Sequence, residues 1–215
     1  MNFNNLFYIW EIFYIFYGKR CRQLKLHEIN IVFTGMKEKD VIKLRALEPS
    51  DVEILYKWEN DQRIWRVSNT IAPFSKHILN KYIENSHLDI YQTRQLRLII
   101  ELNDRESGNN IPVGTVDLFD FDPYHNRAGI GILIADEEFR GKGYASEALD
   151  TLLDYTFNTL QLHQVYCNVL TENQSSLNLF TKYGFKIIGI KKDWIKTPNK
   201  YLDEYILQCI NPIDK

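Results

Sequence analysis

The stretch EEFRGKGYASEALDTLLDYTF, which begins at Glu137, places a glycine-punctuated loop directly before an amphipathic helix. The apolar residues on one face of that helix are Ala145, Ala148, Leu149, Leu152 and Leu153. This face must pack against another element, and the strand-like run RAGIGILI precedes the loop. A helix N-terminus exposes unpaired N–H groups with partial positive charge, and glycines let an anion approach them. The loop therefore predicts a phosphate-binding site.

The spacing of Gly141 and Gly143 differs from that of two common phosphate loops. A Walker loop requires G-x-x-x-x-G-K-[ST], and a dinucleotide fingerprint requires G-x-G-x-x-G behind a parallel strand. Arg140 and Lys142 add positive charge beside the loop. The predicted phosphate therefore belongs to a different class of ligand.

The rest of the chain alternates between strand and helix patterns. A strand at VIKLRAL is followed by helices at VEILYKWEN and KHILNKYIENS, and then by strands at RQLRLIIEL, IPVGTVDLFDFD and RAGIGILI. The last three are predicted to form an antiparallel meander. Behind the glycine-loop helix come a strand at QVYCNVL, a helix at QSSLNLFTKY and two closing strands. This order predicts one mixed α/β (α+β) sheet domain over residues 36–215.

Composition and charge exclude several function classes. The chain has 215 residues, 45% of them apolar, which suits one folded domain. Its net charge of −2, with scattered basic residues, argues against a nucleic-acid partner. Cys21, Cys167 and Cys209 form no C-x-x-C pair and have no histidine at ligand spacing. We therefore expect no metal site, no disulfide framework and a reducing cytoplasmic setting.

Residues 1–35 differ from the rest, because NLFYIWEIFYIFYGKR is almost entirely aromatic and isoleucine. Basic residues follow this run, unlike in a secretory signal, and it is shorter than the roughly twenty residues of a membrane-spanning helix. Three interpretations remain: an interfacial or partner-binding helix, part of the core, or a translation start upstream of the true one at Met36. We favour the upstream translation start, since MKEKDVIKLRALEPSD is an ordinary polar segment that leads into a first strand. We expect no membrane partner.

Two motifs lie at a fixed separation in this predicted order of elements. The run from Arg140 to Ala145 fits R/Q-x-x-G-x-G/A, and TENQSSLNLFTKYGF fits N-x-x-A/S-x-x-L-Y/F-x-K-x-G-F. Together they resemble the GNAT superfamily of acetyl-CoA-dependent N-acetyltransferases, over Val41 to about Ile210. GTVDLFDFDPYHNRAGIGILI and WENDQRIWR are most similar to the branch of spermidine/spermine and ribosomal-protein N-terminal acetyltransferases.

The resemblance implies the GNAT fold, a largely antiparallel central sheet flanked by helices, with acetyl-CoA as co-substrate and no metal. The coenzyme A pyrophosphate would lie on the loop and helix start, formed by Arg140, Gly141, Lys142, Gly143, Tyr144, Ala145 and Ser146. The backbone of Ile132, Leu133 and Ile134 would pair with the pantetheine arm as an added strand. Asn173, which also suits a helix N-cap, and Phe180 would complete the cofactor site.

The chain departs from the family at two positions. A tyrosine that commonly protonates the leaving thiolate is replaced by Phe180, so Tyr183 or water is expected to supply the proton. A glutamate of many relatives is replaced by Gly129. Gly129 and Gly131 at period 2 indicate close approach of a ligand or backbone, or room for a bulky neighbour such as Trp194.

Candidates for the general base lie in or beside the hairpin before the cofactor strand. They are Asp117, Asp120 and His125. Strand alternation places Asp117 on the face of Thr115 and Phe119, and Asp120 on the opposite face. Asp122 is instead predicted to form an Asx turn into the following proline.

The acceptor is predicted to be a primary amine. Glu59, Asp61, Glu84, Asp117 and Asp120 are candidates to line a cleft that attracts a cation, although ordinary surface carboxylates explain the same residues. A polyamine-like small amine is the leading acceptor, and a protein N-terminal amine is the enzymatic alternative. A non-catalytic acyl-CoA-binding sensor is the third hypothesis, favoured by Phe180 and Gly129. The oligomeric state, including a homo-oligomer, is left open.

Overall fold

The computed structural model describes residues 41–68, 70–103 and 110–214. Its strands are β1 (Ile42–Arg45), β2 (Leu96–Asn103), β3 (Asn110–Asp122), β4 (Arg127–Ile134), β5 (Gln164–Leu170), β6 (Lys186–Lys196) and β7 (Tyr201–Ile210). Its helices are α1 (Val52–Glu59), α2 (Gln62–Ser68), α3 (Lys76–Glu84), α4 (Ile90–Thr93), α5 (Tyr144–Asp154) and α6 (Gln174–Lys182). The three interpretations of residues 1–35 lie outside the described residues and stay predictions.

One sheet contains all seven strands, in the order β1-β2-β3-β4-β5-β7-β6. Neighbouring strands are antiparallel except for β4 and β5, which are parallel. The predicted meander of β2, β3 and β4 is therefore confirmed. The prediction of a mixed, largely antiparallel sheet flanked by helices is confirmed as well.

The parallel pair of β4 and β5 is short. It ends at Gly129 opposite Tyr166, whereas β4 stays paired with β3 as far as Ile134. On its other side, β5 stays paired with β7 as far as Leu170. The two strands therefore diverge beyond Gly129 and Tyr166, and we call this opening the fork.

The two faces of the sheet carry different helices. On the first face, α5 and α6 pack in one cluster with alternate strand residues; its members include Ala128, Ile130, Leu149, Leu152, Leu177 and Phe180. On the second face, α1 and α3 form a separate cluster that includes Leu55, Trp58, Leu79, Ile83 and Ile99. Because side chains alternate along a strand, the two clusters lie on opposite sides of the sheet. The amphipathic face predicted for the glycine-loop helix is thus confirmed as core.

Cys167 and Cys209 are buried free cysteines in the sheet. Burial raises the pKa of the Cys167 thiol, which therefore stays protonated at neutral pH. In the part of the chain that the structure describes, no group of three histidine, cysteine or carboxylate side chains is placed to hold a metal. No helix there is both long and apolar enough to cross a membrane.

A buried ionic cluster fastens β1 to the start of α1. Arg45 donates to both carboxylate oxygens of Asp51, at 2.7 and 2.9 Å, and to Glu101 of β2 at 2.6 Å. Asp51 is only 4% exposed and also accepts the backbone N–H of Glu48. Burial alone would raise the pKa of Asp51, but the hydrogen bonds from Arg45 and Glu48 outweigh it and lower that pKa.

We expect Asp51→Asn to lower the free energy of unfolding by about 2–3 kcal/mol at neutral pH, because it breaks a buried, charge-assisted pair. The folded state holds Asp51 at the lower pKa, so its stabilisation is present at neutral pH and is lost as the pH falls through that pKa. The difference between the two proteins should therefore shrink below about pH 4. Urea unfolding of both proteins at several pH values measures this difference in the free energy of unfolding.

Glu53→Gln is the matched control, because it removes a carboxylate from an exposed ion pair with Lys76. Its effect should stay below about 1 kcal/mol. Equal losses in the two variants would contradict the role assigned to the buried cluster.

Candidate functional site

The fork exposes one edge of β4. Ile132, Leu133 and Ile134 lie beyond the last pair with β5, while β3 holds their other side. An open strand edge offers backbone N–H and C=O groups to an extended ligand. These three residues are those predicted to bind the pantetheine arm, and this geometry fits an extended amide-bearing chain.

The glycine loop follows β4 and leads into α5. Gly141 and Gly143 adopt φ of +73° and +91°, which residues with a Cβ rarely adopt. A Cβ at either position would meet no atom within 4 Å among the described residues, so the loop faces open space. The first hydrogen bond of α5 joins Glu147 N to Gly143 O, which leaves the N–H groups of the preceding turn without helical partners. The loop therefore fits a diphosphate.

Two hydrogen bonds from Arg140 connect this loop to the end of β4. Its Nε donates to the carbonyl of Ile134 at 3.0 Å, and its Nη2 donates to the carbonyl of Ala135 at 2.8 Å. The guanidinium thus shapes the loop through the protein backbone. The contribution of Arg140 to phosphate binding stays a prediction.

A second lysine lies beside the loop, in addition to Lys142. Lys182 Nζ donates to Ser146 Oγ at 3.1 Å, at the first turn of α5. Lys182 belongs to the second motif but was not among the predicted site residues. Two cationic side chains therefore flank the exposed N–H groups.

Helix α6 supplies two predicted site residues. Asn173 Oδ1 accepts the N–H of Ser176 at 3.1 Å, which confirms the predicted N-cap. Tyr183, at the far end of the helix, bonds Ser146 Oγ through its hydroxyl at 2.9 Å. Its hydroxyl therefore lies beside the glycine loop, and its role as the acid stays a prediction. Phe180 is buried, with its ring edge-on to Phe185.

A charge cluster lies on the second face, next to the fork. Arg97 of β2 donates to Asp117 Oδ1 and to Glu59 Oε1, both at 2.6 Å, and lies over the ring of Tyr82. Burial opposes the charge on Arg97, but Asp117 and Glu59 outweigh it and raise the pKa of the guanidinium. Two carboxylates and one cation leave the cluster with one net negative charge.

One oxygen of Asp117 points toward the fork. A methyl group added at Gly131 would lie 3.7 Å from Asp117 Cβ and 3.8 Å from its Oδ2. Arg97 holds Oδ1 closely, whereas its contact with Oδ2 is 3.4 Å. The Asp117 side chain is 22% exposed. A partly free carboxylate oxygen therefore faces β4 just past the last pair with β5.

An aromatic ring leaves no room for a side chain at position 129. A Cβ at this position would collide with the ring of Phe119, which also lies edge-on to Tyr166. The expectation of a bulky neighbour is thus confirmed for Gly129, but the neighbour is Phe119, and the suggestion of Trp194 is wrong. The ring of Phe119 thus fills the space that a side chain at position 129 would need.

Asp120 departs from the predicted alternation. Its Oδ2 accepts the hydroxyl of Tyr166 at 2.9 Å, and Tyr166 shares the second face with Phe119. The prediction of the opposite face is wrong because β3 is irregular between Phe119 and Asp122, where Asp120 adopts φ of +49°. Burial first, and then the bond to Asp120 and its charge, raise the pKa of Tyr166 to about 12. Its hydroxyl therefore remains a donor.

The remaining candidates lie apart from Asp117. His125 is exposed in the turn between β3 and β4, with its ring edge-on to Tyr124. Asp122 Oδ1 accepts the N–H groups of both residues at 3.1 Å, which confirms the predicted Asx turn. Glu84 is exposed at the last residue of α3, and among the described residues no contact joins it to the Arg97 cluster.

The chain is similar to known acetyltransferases. Residues 42–186 match the family described as acetyltransferase (GNAT) domain. The spermidine N(1)-acetyltransferase of Vibrio cholerae is 29% identical over 170 residues, which cover 78% of this chain and 93% of that protein.

Solved structures agree in fold. The crystal structure of the Vibrio cholerae spermidine N-acetyltransferase in complex with CoA and spermine has a TM-score of 0.70 at 25% identity, over 79% of this chain and 95% of that one. A dodecameric structure of the same enzyme in an intermediate state has a TM-score of 0.64 at 26% identity, over 79% and 94% of the two chains. With its glycine loop and fork, the chain belongs to the GNAT acetyltransferase family and is an N-acetyltransferase.

Proposed function

We propose that this enzyme transfers an acetyl group from acetyl-CoA to a primary amine of a polyamine-like small molecule. GNAT acetyltransferases use acetyl-CoA, which supplies an acetyl group activated as a thioester. The observation that carries the proposal is Asp117 Oδ2 beside the fork, which Arg97 holds only by a long contact of 3.4 Å, within a cluster of net negative charge. The similarity to spermidine acetyltransferases supports the same acceptor class.

The cofactor half of the site uses backbone groups. In the proposed complex the diphosphate accepts N–H groups of the glycine loop and of the first turn of α5, beside Lys142 and Lys182. The pantetheine arm lies in the fork along the free edge of β4. The N–H of Ile132 then polarises the thioester carbonyl.

The acceptor half uses the charge cluster. An alkylammonium is attracted to the net negative charge around Asp117 and Glu59, while Arg97 holds both carboxylates in place. Asp117 Oδ2 accepts the proton that the amine must lose before it attacks, directly or through one water. As the new C–N bond forms and the C–S bond breaks, the second proton of the nitrogen passes to the leaving CoA thiolate, through water or the Tyr183 hydroxyl. No nucleophile of the protein takes part, and the protonated Cys167 thiol is buried on the first face.

The acceptor class is tested by measuring CoA release with a thiol-detecting dye. The panel holds spermidine, spermine, aminoglycosides, amino acids and short N-terminal peptides. We expect the highest kcat/KM with the linear polyamines. Turnover of the peptides alone would replace the proposed acceptor by a protein N-terminus.

Gly143→Ala is expected to weaken acetyl-CoA binding about tenfold. A residue with a Cβ loses about 1–2 kcal/mol in the left-handed conformation that Gly143 adopts, so the free loop relaxes away from the binding geometry. Isothermal titration calorimetry with acetyl-CoA measures the change. Gly189→Ala is the control, because its added Cβ meets no atom within 4 Å and its φ is not positive. Equal affinities in the two variants would rule out this role of the loop.

Asp117→Asn is expected to lower kcat/KM for the best amine by about 100-fold or more, since amide oxygen is a poor proton acceptor. The affinity for acetyl-CoA should be unchanged. Glu59→Gln removes the other carboxylate bound to Arg97 and is expected to have a much smaller effect on kcat. If both variants lose the same activity, the ion pairs of Arg97 matter rather than the weakly held Oδ2 of Asp117.

A further inference from the structure

A groove of about 700 Å³ runs over the second face near the fork. Its lining includes Asp120, Asp122, Arg127, Tyr166, Ile188 and Gln208. Tyr166 is also the last β5 residue paired with β4, so the groove begins where the fork closes. Tyr166 also lies edge-on to the ring of Phe119, the next residue of β3 on the same face as Asp117.

The two carboxylates of the groove differ in what they already bind. Asp122 accepts two backbone N–H groups through Oδ1 and pairs with Arg127 through Oδ2 at 3.2 Å. Asp120 accepts the Tyr166 hydroxyl through Oδ2, and no contact among the described residues involves its Oδ1. Arg127 offsets one of the two negative charges. Asp120 therefore supplies the uncompensated charge of the groove.

The distance between Asp117 and Asp120 sets a length scale. The residues are three apart on β3, and because the strand is bulged at Asp120 the three-residue rise of an extended strand, about 10 Å, is the upper limit of this span. An extended alkyl chain advances about 1.2 Å per bond, so two amines joined by about eight bonds match this span. A linear diamine of that length can place one nitrogen beside Asp117 and the other beside Asp120.

We propose that Asp120, positioned by the Tyr166 hydroxyl, binds the distal ammonium of a linear di- or polyamine and so selects acceptors by the distance between their two amines. This inference rests on the proposed function, because it needs the reacting amine beside Asp117. The ligand has positive charge at both ends and an apolar chain between them. The chain would pass Tyr166 and the apolar side chain of Ile188.

The test compares KM values for Asp120→Asn and Asp122→Asn, which remove the same formal charge from the same groove. Asparagine keeps the Asx turn at position 122. The amines are heptylamine, diaminopropane, diaminoheptane and spermidine, each diamine with terminal amino groups. Diaminopropane spans only about 5 Å between its nitrogens and is too short to reach Asp120. Heptylamine has no distal charge.

With Asp120→Asn, KM for diaminoheptane and spermidine should rise about fivefold, the upper range for an exposed ion pair. KM for heptylamine and diaminopropane should change less than twofold, as should every KM in Asp122→Asn. The increase should diminish in high salt, because Asp120 is exposed. In both variants kcat should stay within about twofold of wild type.

Two results would overturn the assignment of Asp120. One is an unchanged KM for diaminoheptane and spermidine in Asp120→Asn. The other is an increase that is equal in the two variants, or equal for heptylamine and diaminoheptane, which would indicate general charge in place of a specific contact. If wild type acetylates peptides and none of these amines, the proposed function fails first and this inference fails with it.

Discussion

The divergence of β4 from β5 is the constraint on which the rest of the site depends. Their pairing ends at Gly129 and Tyr166, yet each strand remains hydrogen-bonded on its other side, β4 to β3 and β5 to β7. The pairing on the two outer sides therefore holds the two strands apart at the fork. A backbone edge that would normally pair with a strand is left for an extended molecule.

The two sides of the fork carry opposite charge. At the end of β4, the glycine loop presents N–H groups between Lys142 and Lys182. On the second face, Asp117 and Glu59 leave one negative charge after pairing with Arg97. In the proposed complex, an anionic cofactor and a cationic acceptor are drawn to different sides of the same opening. This separation suits direct transfer between two bound molecules.

The features that could be predicted from the sequence are local ones. Gly141 and Gly143 indicated an anion loop, Asn173 an N-cap and Asp122 an Asx turn, and each depends on residues a few positions away. The periodicity of apolar residues gave the order of strands and helices for the same reason. Each feature follows from backbone conformation and short-range hydrogen bonding.

The features that were predicted wrongly or not predicted at all depend on distant contacts. Asp120 lies on the wrong face for a regular strand, because a bulge in β3 lets it meet Tyr166, 46 residues away. Arg97 joins Asp117 and Glu59 across 20 and 38 residues, and Phe119 fills the space above Gly129. A period-2 pattern cannot register a bulge, and spacing along the chain does not reveal which side chains meet across strands.

By itself, then, the sequence determined the order of the elements, the glycine loop before α5 and the helix cap, since these follow from neighbouring residues. Only the tertiary structure decided where β4 and β5 separate, which carboxylate faces the fork and which one remains available in the groove. Those outcomes depend on packing and charge between elements far apart in the chain.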